Sequence, residues 1–160
     1  MSIAVGRQVP DAVVFRLAAD GPEAISMRDL AAGRRIAVFG VPGAFTRTCS
    51  ARHLPGFVAQ ADVLKSKGID EIVCLAVNDV FVLAAWSREH DADGRVTMIS
   101  DGALNFTRAA GLETDMSDRG FGVRCRRFAM VVDDGEITHL YLEQPGAFGE
   151  TSAERMLEDL

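Results

Sequence analysis

The chain has 160 residues, 48% of them hydrophobic and 25% charged, and its formal net charge is −6 at pH 7. This composition is that of an ordinary globular protein, so it argues against intrinsic disorder, and the length fits a single domain over residues 1–160. The acidic balance argues against the broad basic surface by which nucleic-acid and anionic-membrane binders hold their partners.

Short runs of strand-forming residues, each bounded by Gly, Asp or Pro, alternate along the chain with segments of helical periodicity. The runs predict strands at residues 12–15, 35–40, 71–77, 96–99, 128–133 and 136–142. The periodic segments predict helices at residues 49–67, 80–90, 103–110 and 152–160, the last of them opened by Ser152.

The hydrophobic pattern of each strand indicates its place in the sheet. Residues 35–40 and 71–77 are nearly continuous apolar runs, as in central strands covered on both faces, whereas residues 136–143 alternate as a strand nearer an edge does. Asp134 and Gly135 predict a hairpin turn between the last two strands. We therefore expect an α/β fold, with a central mixed β-sheet flanked by helices. The element order fits a thioredoxin-like fold and leaves flavodoxin-like arrangements open.

Three cysteines, Cys49, Cys74 and Cys125, are an odd number, widely spaced and without a CxxC pair. That pattern does not indicate a disulfide framework, so at least one thiol is free. No stretch approaches the ~20 apolar residues of a membrane helix, and the first residues lack the pattern of a secretory signal. We expect a cytoplasmic protein with neither a membrane nor a nucleic acid as partner.

Cys49 lies in the stretch VPGAFTRTCSARHLPGF, residues 41–57, between a buried strand and a helix. A thiol at the start of a helix faces unpaired backbone N–H groups and the positive end of the helix dipole, and both favour the thiolate. An inert cysteine is usually buried among apolar residues, and the flanking Thr46 and Arg47 argue against that interpretation. Cys49 is therefore the candidate nucleophile, with Thr48 as a candidate N-cap.

Other residues of this loop suit a ligand that approaches the sulfur. Pro42 fixes the backbone, and Gly43 lets the main chain come close to a ligand. Thr46 lies one helical turn before Cys49, and its hydroxyl can donate to one ligand oxygen and accept from another. Local sequence alone explains Thr46 and Thr48 equally well as helix caps.

Pro55 and Gly56 fall inside the predicted helix that follows Cys49. Proline removes a hydrogen-bond donor and clashes with the preceding turn, at a cost of about 3 kcal/mol or more. We expect a kinked or weakened helix whose first turns open easily. Such weakness would help Cys49 react with a bulky second partner, and a kink required by packing explains the same two residues.

Residues 42–49, Pro-Gly-Ala-Phe-Thr-Arg-Thr-Cys, match the PxxxTxxC signature of peroxiredoxins, and the extension CSARHLPGF resembles the type II, or peroxiredoxin-5, subfamily. Further similarity runs through PDAVV, EIVCLAVNDVFVLAAW, RRFAMVVDDGEI and EQPGAFGETSAERML, so it covers almost the whole chain. The resemblance implies a thioredoxin-like fold and a thiol-dependent peroxidase with no metal and no bound organic cofactor. It also implies a homodimer, with Phe45 and neighbouring loops near the contact.

Carried over to this sequence, the resemblance makes Cys49 the nucleophile and Pro42 the shield of its sulfur. It makes Thr46 and Arg127, with Gly43, the residues that bind the peroxide. Attack of a thiolate on one peroxide oxygen expels hydroxide or alkoxide, so donors and positive charge aimed at the two oxygens stabilise the transition state. Arg127 suits this role because it stays charged and presents its donors in a fixed fork. The product is a sulfenic acid on Cys49.

The sequence departs from the family in two places. Many members have proline where this chain has Arg47, and we expect the added charge to alter the mouth of the pocket or the choice of reductant. Members with an internal resolving cysteine carry it near the C-terminal segment, where this chain reads GAFGETSAERML and has none. This implies a one-cysteine cycle in which an external thiol, glutathione with glutaredoxin or thioredoxin, attacks the oxidised Cys49.

The remaining two cysteines lead to different predictions. Cys74, inside the apolar run EIVCLAV, is interpreted as a buried strand residue without a redox role. Cys125 stands two residues before Arg127, so in an extended segment both side chains would share a face towards the active site. A disulfide between Cys125 and Cys49 would then require the first helical turn to move, because the two Cα atoms must come within about 7 Å.

The charged and polar residues also allow other interpretations. The basic cluster Arg124, Arg126 and Arg127 is, without the resemblance, most simply a solvated run of charges. A cysteine hydrolase could use His53, one helical turn beyond Cys49, as its base, but no third group that orients the imidazole is evident. Zinc binding by the same two residues lacks a second pair at ligand spacing. A thioredoxin-fold binding or holdase module without peroxidase activity predicts an unreactive Cys49.

Overall fold

A computed structural model describes residues 2–160, which form nine strands and six α-helices. The strands are β1 Val13–Ala18, β2 Gly21–Ser26, β3 Arg35–Val41, β4 Glu71–Ala76, β5 Thr97–Ser100, β6 Glu113–Asp115, β7 Val123–Cys125, β8 Phe128–Asp133 and β9 Glu136–Leu142. The helices are α1 Met27–Ala31, α2 Leu54–Ala59, α3 Ala61–Ser66, α4 Val80–Glu89, α5 Asn105–Ala109 and α6 Ala153–Leu157. A π-helical turn, Cys49–His53, leads directly into α2.

Seven strands form one mixed sheet in the order β2-β1-β5-β4-β3-β8-β9, and β6 pairs with β7 separately. The pairs β3–β4 and β4–β5 are parallel, and the other pairs of the large sheet are antiparallel. The predicted mixed sheet is therefore confirmed. The continuous apolar strands β3 and β4 lie at its centre and the alternating strand β9 lies at its edge, as their patterns indicate.

The turn between β8 and β9 follows from two residues. Asp134 has a φ of 48° and Gly135 a φ of 90°, and the flanking strands pair as an antiparallel hairpin. Positive φ at both central residues defines the type I′ turn, whose twist matches that of the strands, and Asp-Gly is among the pairs that adopt it most readily. The hairpin prediction is confirmed.

The sheet separates two layers of apolar side chains. Successive residues of β3 point to opposite faces, so Phe39 packs with Phe57 and Trp86, whereas Val38 packs with Phe106. We call the cluster around Phe39 the front core, which α2, α3, α4 and α6 cover, and the cluster around Val38 the back core, which α1 and α5 cover. The side of the sheet on which a residue lies therefore decides which helices it can touch.

Side-chain caps begin α4 and α6, and the second of them is the predicted Ser152. Asp79 accepts hydrogen bonds from the backbone N–H groups of Phe81 and Val82 at the start of α4. Ser152 accepts from the N–H of Arg155 at the start of α6. Such side-chain caps satisfy N–H groups that have no partner inside the helix. No helix in the described range, residues 2–160, is long and apolar enough to cross a membrane.

Several elements are not predicted by the sequence patterns. Strand β2 contains glycine, proline and glutamate, which are poor strand formers, and it is held by its register with β1. Strands β6 and β7 have three residues each, too few to show an alternating pattern. The single helix predicted over residues 49–67 is instead divided into the π-helical turn, α2 and α3.

Candidate active site

Cys49 lies in the first turns of the helical segment that follows β3. Residues Cys49–His53 form a π-helical turn, in which the N–H of Leu54 donates to the carbonyl of Cys49. Pro55 has no N–H, and its ring would clash with the carbonyl four residues earlier in a regular α-helix. The wider turn relieves both problems, so the predicted interruption of the helix exists and falls just before Pro55. Single π turns of this kind are frequent at functional sites.

The sulfur of Cys49 is buried against a cation. Its side chain is 0% exposed, so the prediction that polar neighbours keep it out of the interior is wrong. The turn directs Cys49 and His53 inward while Arg47 faces the solvent. Nη2 of Arg127 donates to Cys49 Sγ over 3.1 Å. A guanidinium at this distance gives a developing thiolate a charged hydrogen-bond partner inside the protein.

A chain of hydrogen bonds fixes that guanidinium. Nη1 of Arg127 lies 2.8 Å from Nδ1 of His53, and Nε2 of His53 lies 2.9 Å from the carbonyl oxygen of Thr151. A carbonyl only accepts, so Nε2 carries the proton and Nδ1 accepts from Arg127. Burial, and then the charge of Arg127, lower the pKa of His53 from 6.5 to about 3. The imidazole is therefore neutral and orients Arg127 towards Cys49.

The same contacts weigh against the other uses of His53. Both of its ring nitrogens are occupied, and its lowered pKa makes it a weak base near neutral pH. The geometry therefore does not favour a cysteine hydrolase. Across residues 2–160 no group of three or more His, Cys, Asp or Glu side chains could hold a metal ion, which also leaves the zinc hypothesis without support.

A buried carboxylate supports the far end of this chain of hydrogen bonds. Glu143, only 3% exposed, accepts from the N–H and the hydroxyl of Thr151 at 3.1 and 2.9 Å, and from the N–H of Gly149 at 3.2 Å. The ring of Phe148, in the same loop, meets His53 edge-on with 5.2 Å between centroids. Glu143 thus fixes the loop after β9, and with it the Thr151 carbonyl that accepts from Nε2 of His53.

Thr46 and Thr48 differ from their predicted roles as caps. The hydroxyl of Thr46 donates to the carbonyl of Gly43 over 2.7 Å, which leaves its oxygen free to accept from a ligand. Thr48 has helical backbone angles, φ −68° and ψ −35°, and makes no capping hydrogen bond, so the N-cap prediction is wrong. The reason is that the helix begins two residues earlier than expected, near Arg47.

The loop before Cys49 is fastened by residues from two other segments. Nη1 of Arg124 donates to the carbonyl of Pro42 over 3.2 Å, and the N–H of Ala44 donates to Oδ1 of Asn78 over 2.9 Å. A Cβ on Gly43 would lie 2.9 Å from Nη1 of Arg124, so glycine here makes room for the guanidinium. Arg124 is thus a structural residue of this site rather than a solvated charge.

An open cavity of about 760 Å³ leads to this site. Pro42, Thr46 and Arg127 line it together, which brings three of the predicted site residues to one place. Its rim carries charges of both signs, and its further lining includes Phe45, Arg47, Asp115, Met116, Asp118, Arg119, Phe121 and Pro145.

The remaining two cysteines are both fully buried, although Cys125 also contributes to the lining of the cavity. Cys74 is buried in β4, as predicted, and burial raises the pKa of its thiol. Cys125 belongs to the back core, and burial raises the pKa of its thiol to about 12. The predicted common face of Cys125 and Arg127 is wrong, because β7 ends at Cys125 and the alternation stops there. The N–H of Arg126 instead pairs with the carbonyl of Leu112 as the chain crosses to β8.

Comparison with known proteins agrees with this architecture. The redoxin family profile matches residues 4–157. Peroxiredoxin-2B of Arabidopsis thaliana is 46% identical over 159 residues, which cover 99% of this chain and 98% of that protein. Reduced Prx3 of Vibrio vulnificus in complex with hydrogen peroxide superposes with a TM-score of 0.94 at 41% identity, covering 98% of both chains. Peroxiredoxin 5 of Alvinella pompejana gives 0.80 at 35% identity, covering 88% of this chain and 90% of that one.

Fold and relatives together define a redoxin with a thioredoxin-like fold, a mixed sheet flanked by helices. Within that class the chain belongs to the peroxiredoxin family, and the likenesses are consistent with type II. It is therefore a thiol-dependent peroxidase, an oxidoreductase, and the predicted family, fold and enzyme class are confirmed.

Sequence reasoning missed the supports of this site. The sequence suggests His53 only as a base or a metal ligand, although its spacing of four residues from Cys49 does indicate a shared helix face. Glu143, Thr151 and Asn78 carry no local pattern that ties them to a cysteine far away in the sequence. Only the folded chain brings them together.

Proposed function

We propose that this peroxiredoxin reduces hydrogen peroxide and alkyl hydroperoxides through a sulfenic acid on Cys49. The contact of Arg127 Nη2 with Cys49 Sγ at 3.1 Å is the observation that carries the proposal. The thiolate attacks the terminal oxygen of the peroxide, forming an S–O bond while the O–O bond breaks. That oxygen keeps its hydrogen, so the products are Cys49–SOH and an alkoxide or hydroxide, which takes a proton from water.

The surrounding residues receive roles from their contacts. Arg127 stabilises the negative charge that develops on the leaving oxygen. The hydroxyl of Thr46 donates its hydrogen bond to the carbonyl of Gly43, so its oxygen accepts the O–H of the hydroperoxide. Pro42, which lines the cavity beside Arg127, shields the sulfur, and Gly43 contributes its backbone to the substrate side of the loop.

Peroxide added to the reduced protein tests this proposal directly. One equivalent should remove one thiol, and mass spectrometry should place the sulfenic acid on Cys49 and leave Cys74 and Cys125 unmodified. Both of the latter thiols are buried and have raised pKa values, which keeps them protonated and slow to react. Retention of all three thiols would instead favour the binding or holdase module.

We further propose a one-cysteine cycle. An external thiol condenses with Cys49–SOH, forming a mixed disulfide and releasing water, and a second thiol then releases the reduced Cys49. The position of Cys125 in the back core and of Cys74 inside β4 supports an external partner, as does the absence of cysteine from residues 143–160. Turnover should therefore survive replacement of Cys125 or Cys74 by serine, and comparing glutathione plus glutaredoxin with thioredoxin identifies the reductant. A crosslink between Cys49 and Cys125 would contradict this cycle.

Arg47 offers a specificity test, because its exposed side chain lines the cavity. Replacing it with proline, which the first helical position tolerates, should slow reduction by anionic glutathione about two- to fivefold, the size of one exposed charge pair. The peroxide step should change less, and the difference should shrink at high salt. Stopped-flow rates of both steps measure this, with Arg108→Gln on α5 as control. Equal rates for Arg47→Pro and the parent would remove the role.

We also propose a homodimer and a cytoplasmic location. Phe45 is 50% exposed and Phe81 61% exposed, and such aromatic side chains are common in contacts between subunits. Sedimentation should then give twice the chain mass of 17.2 kDa. Three free cysteines fit a reducing compartment, which cell fractionation can test.

A further inference from the structure

The turn that carries Cys49 is tied to another helix by one hydrogen bond. Nε1 of Trp86 donates to Oγ of Ser50, the residue after Cys49, over 2.9 Å. Trp86 is the single tryptophan of the chain and is fully buried in the front core, on α4. The π-helical turn therefore has an anchor outside its own helix.

Cys49 has to react with two partners of very different size if the proposed function holds. A peroxide presents two oxygens, and in the observed turn Arg127 already donates to the sulfur that attacks them. A thiol reductant must form a disulfide, which brings its Cβ within about 3.5–4.5 Å of the Cβ of Cys49. Since the side chain of Cys49 is 0% exposed, the turn must open for that step.

We propose that Trp86 and Ser50 form a latch that holds the turn closed and so sets the balance between the peroxide step and the thiol step. This rests on the proposed peroxidase function. Opening moves the Ser50 hydroxyl away from a buried indole N–H, which then has to find water or stay unpaired. One such hydrogen bond shifts the equilibrium between closed and open turns by roughly three- to tenfold.

The latch also affects how readily the sulfenic acid of Cys49 is oxidised further. While the turn stays closed, the sulfenic acid faces the peroxide site, and a second peroxide oxidises it to a sulfinic acid with release of alcohol or water. Opening removes the sulfenic acid from that site and exposes it to the reductant. The strength of the latch thus decides how often oxidised Cys49 is repaired rather than oxidised again.

Replacing Ser50 with alanine removes the acceptor and leaves the remaining contacts of Trp86 in place. The reduction of Cys49–SOH by glutathione, used as the probe thiol, should become about three- to tenfold faster. Oxidation of Cys49 by one equivalent of hydrogen peroxide should stay within about twofold, because the closed turn remains the major form. The sulfinic fraction at excess peroxide, measured by mass spectrometry, should fall by the factor that the thiol step gains.

Four further variants, one of them a double substitution, define the effect. Ser50→Thr keeps a hydroxyl and should behave as the parent does. Trp86→Phe removes the donor and should match Ser50→Ala, and the two changes together should add nothing beyond either alone. Ser66→Ala, at an exposed serine of α3, serves as the control for loss of a helix hydroxyl.

Labelling separates this proposal from the proposed function. A bulky maleimide added to the reduced protein should modify Cys49 about three- to tenfold faster in Ser50→Ala, whether or not peroxide is a substrate. Faster labelling without any peroxide-dependent thiol loss would keep the latch and overturn the peroxidase proposal. Unchanged labelling and an unchanged thiol step, or equal slowing of both steps, would overturn the latch.

Discussion

Replacing Arg127 with glutamine should lower the rate constant for oxidation of Cys49 by peroxide about 10²- to 10³-fold. The guanidinium donates to Cys49 Sγ at 3.1 Å and to His53 Nδ1 at 2.8 Å, so it is the charged group already aimed at the sulfur. Glutamine removes the charge that would meet the leaving oxygen and breaks the fork of donors. Stopped-flow measurement of thiol loss under pseudo-first-order conditions gives the rate.

Lysine at position 127 separates charge from geometry. It keeps a positive charge but cannot present two fixed, parallel donors, so its rate should fall between those of the parent and Arg127→Gln. Arg16→Gln, which removes a surface arginine that pairs with Glu23, is the matched control and should leave the rate unchanged. A rate for Arg127→Gln within fivefold of the parent would show that the leaving oxygen is stabilised by other groups.

Replacing His53 with phenylalanine should lower the same rate constant about 10- to 100-fold, although His53 touches no substrate. Phenylalanine keeps a ring between Phe39 and Phe148, but it offers Arg127 no acceptor, so the guanidinium loses its orientation. His53→Gln keeps a neutral amide that can accept from Arg127 and should retain most of the rate. Equal loss in both variants would show that shape matters at this position and hydrogen bonding does not.

The substitution His53→Phe should also change the pH dependence of the free energy of unfolding. His53 is neutral in the folded chain down to a pKa of about 3, whereas the unfolded chain takes up a proton below about pH 6.5. Above pH 7 neither state binds this proton, so His53 contributes no slope there. Between pH 6.5 and 3 the unfolded state binds more protons than the folded state. The free energy of unfolding therefore falls as the pH is lowered, by up to about 1.4 kcal/mol per pH unit.

Urea unfolding of the parent and His53→Phe at pH 7 and pH 4.5 measures this difference. The parent should lose about 2–3 kcal/mol more than the variant over that interval, because only the parent carries the buried imidazole. Equal losses would mean that His53 is protonated in the folded protein, and its proposed role as neutral acceptor for Arg127 would then fail.

The sequence predicts the centre of the fold better than its periphery. Continuous apolar runs identify β3 and β4 because burial on both faces leaves few alternatives, and Asp134-Gly135 identifies the hairpin because few residue pairs adopt its backbone angles. Strand β2 and the short pair β6–β7 exist only through their partners, so no local pattern predicts them.

In the candidate site, too, local features are predictable from the sequence and long-range contacts are not. The motif around Cys49 is local and can be read from spacing, whereas the support of Arg127 depends on contacts across 74 residues to His53 and from there across 98 residues to Thr151. The error at Cys125 has the same origin. Alternation predicts a face only within a strand, and the chain leaves β7 between this residue and Arg127.

The two core layers surround two of the three thiols with different neighbours. Cys49 belongs to the front core and Cys125 to the back core. Cys125 contributes to the lining of the cavity, but burial raises the pKa of its thiol to about 12, whereas the guanidinium of Arg127 donates to the sulfur of Cys49 at 3.1 Å. The difference between these two sulfurs therefore arises from the groups packed around each of them and not from their distance to the opening.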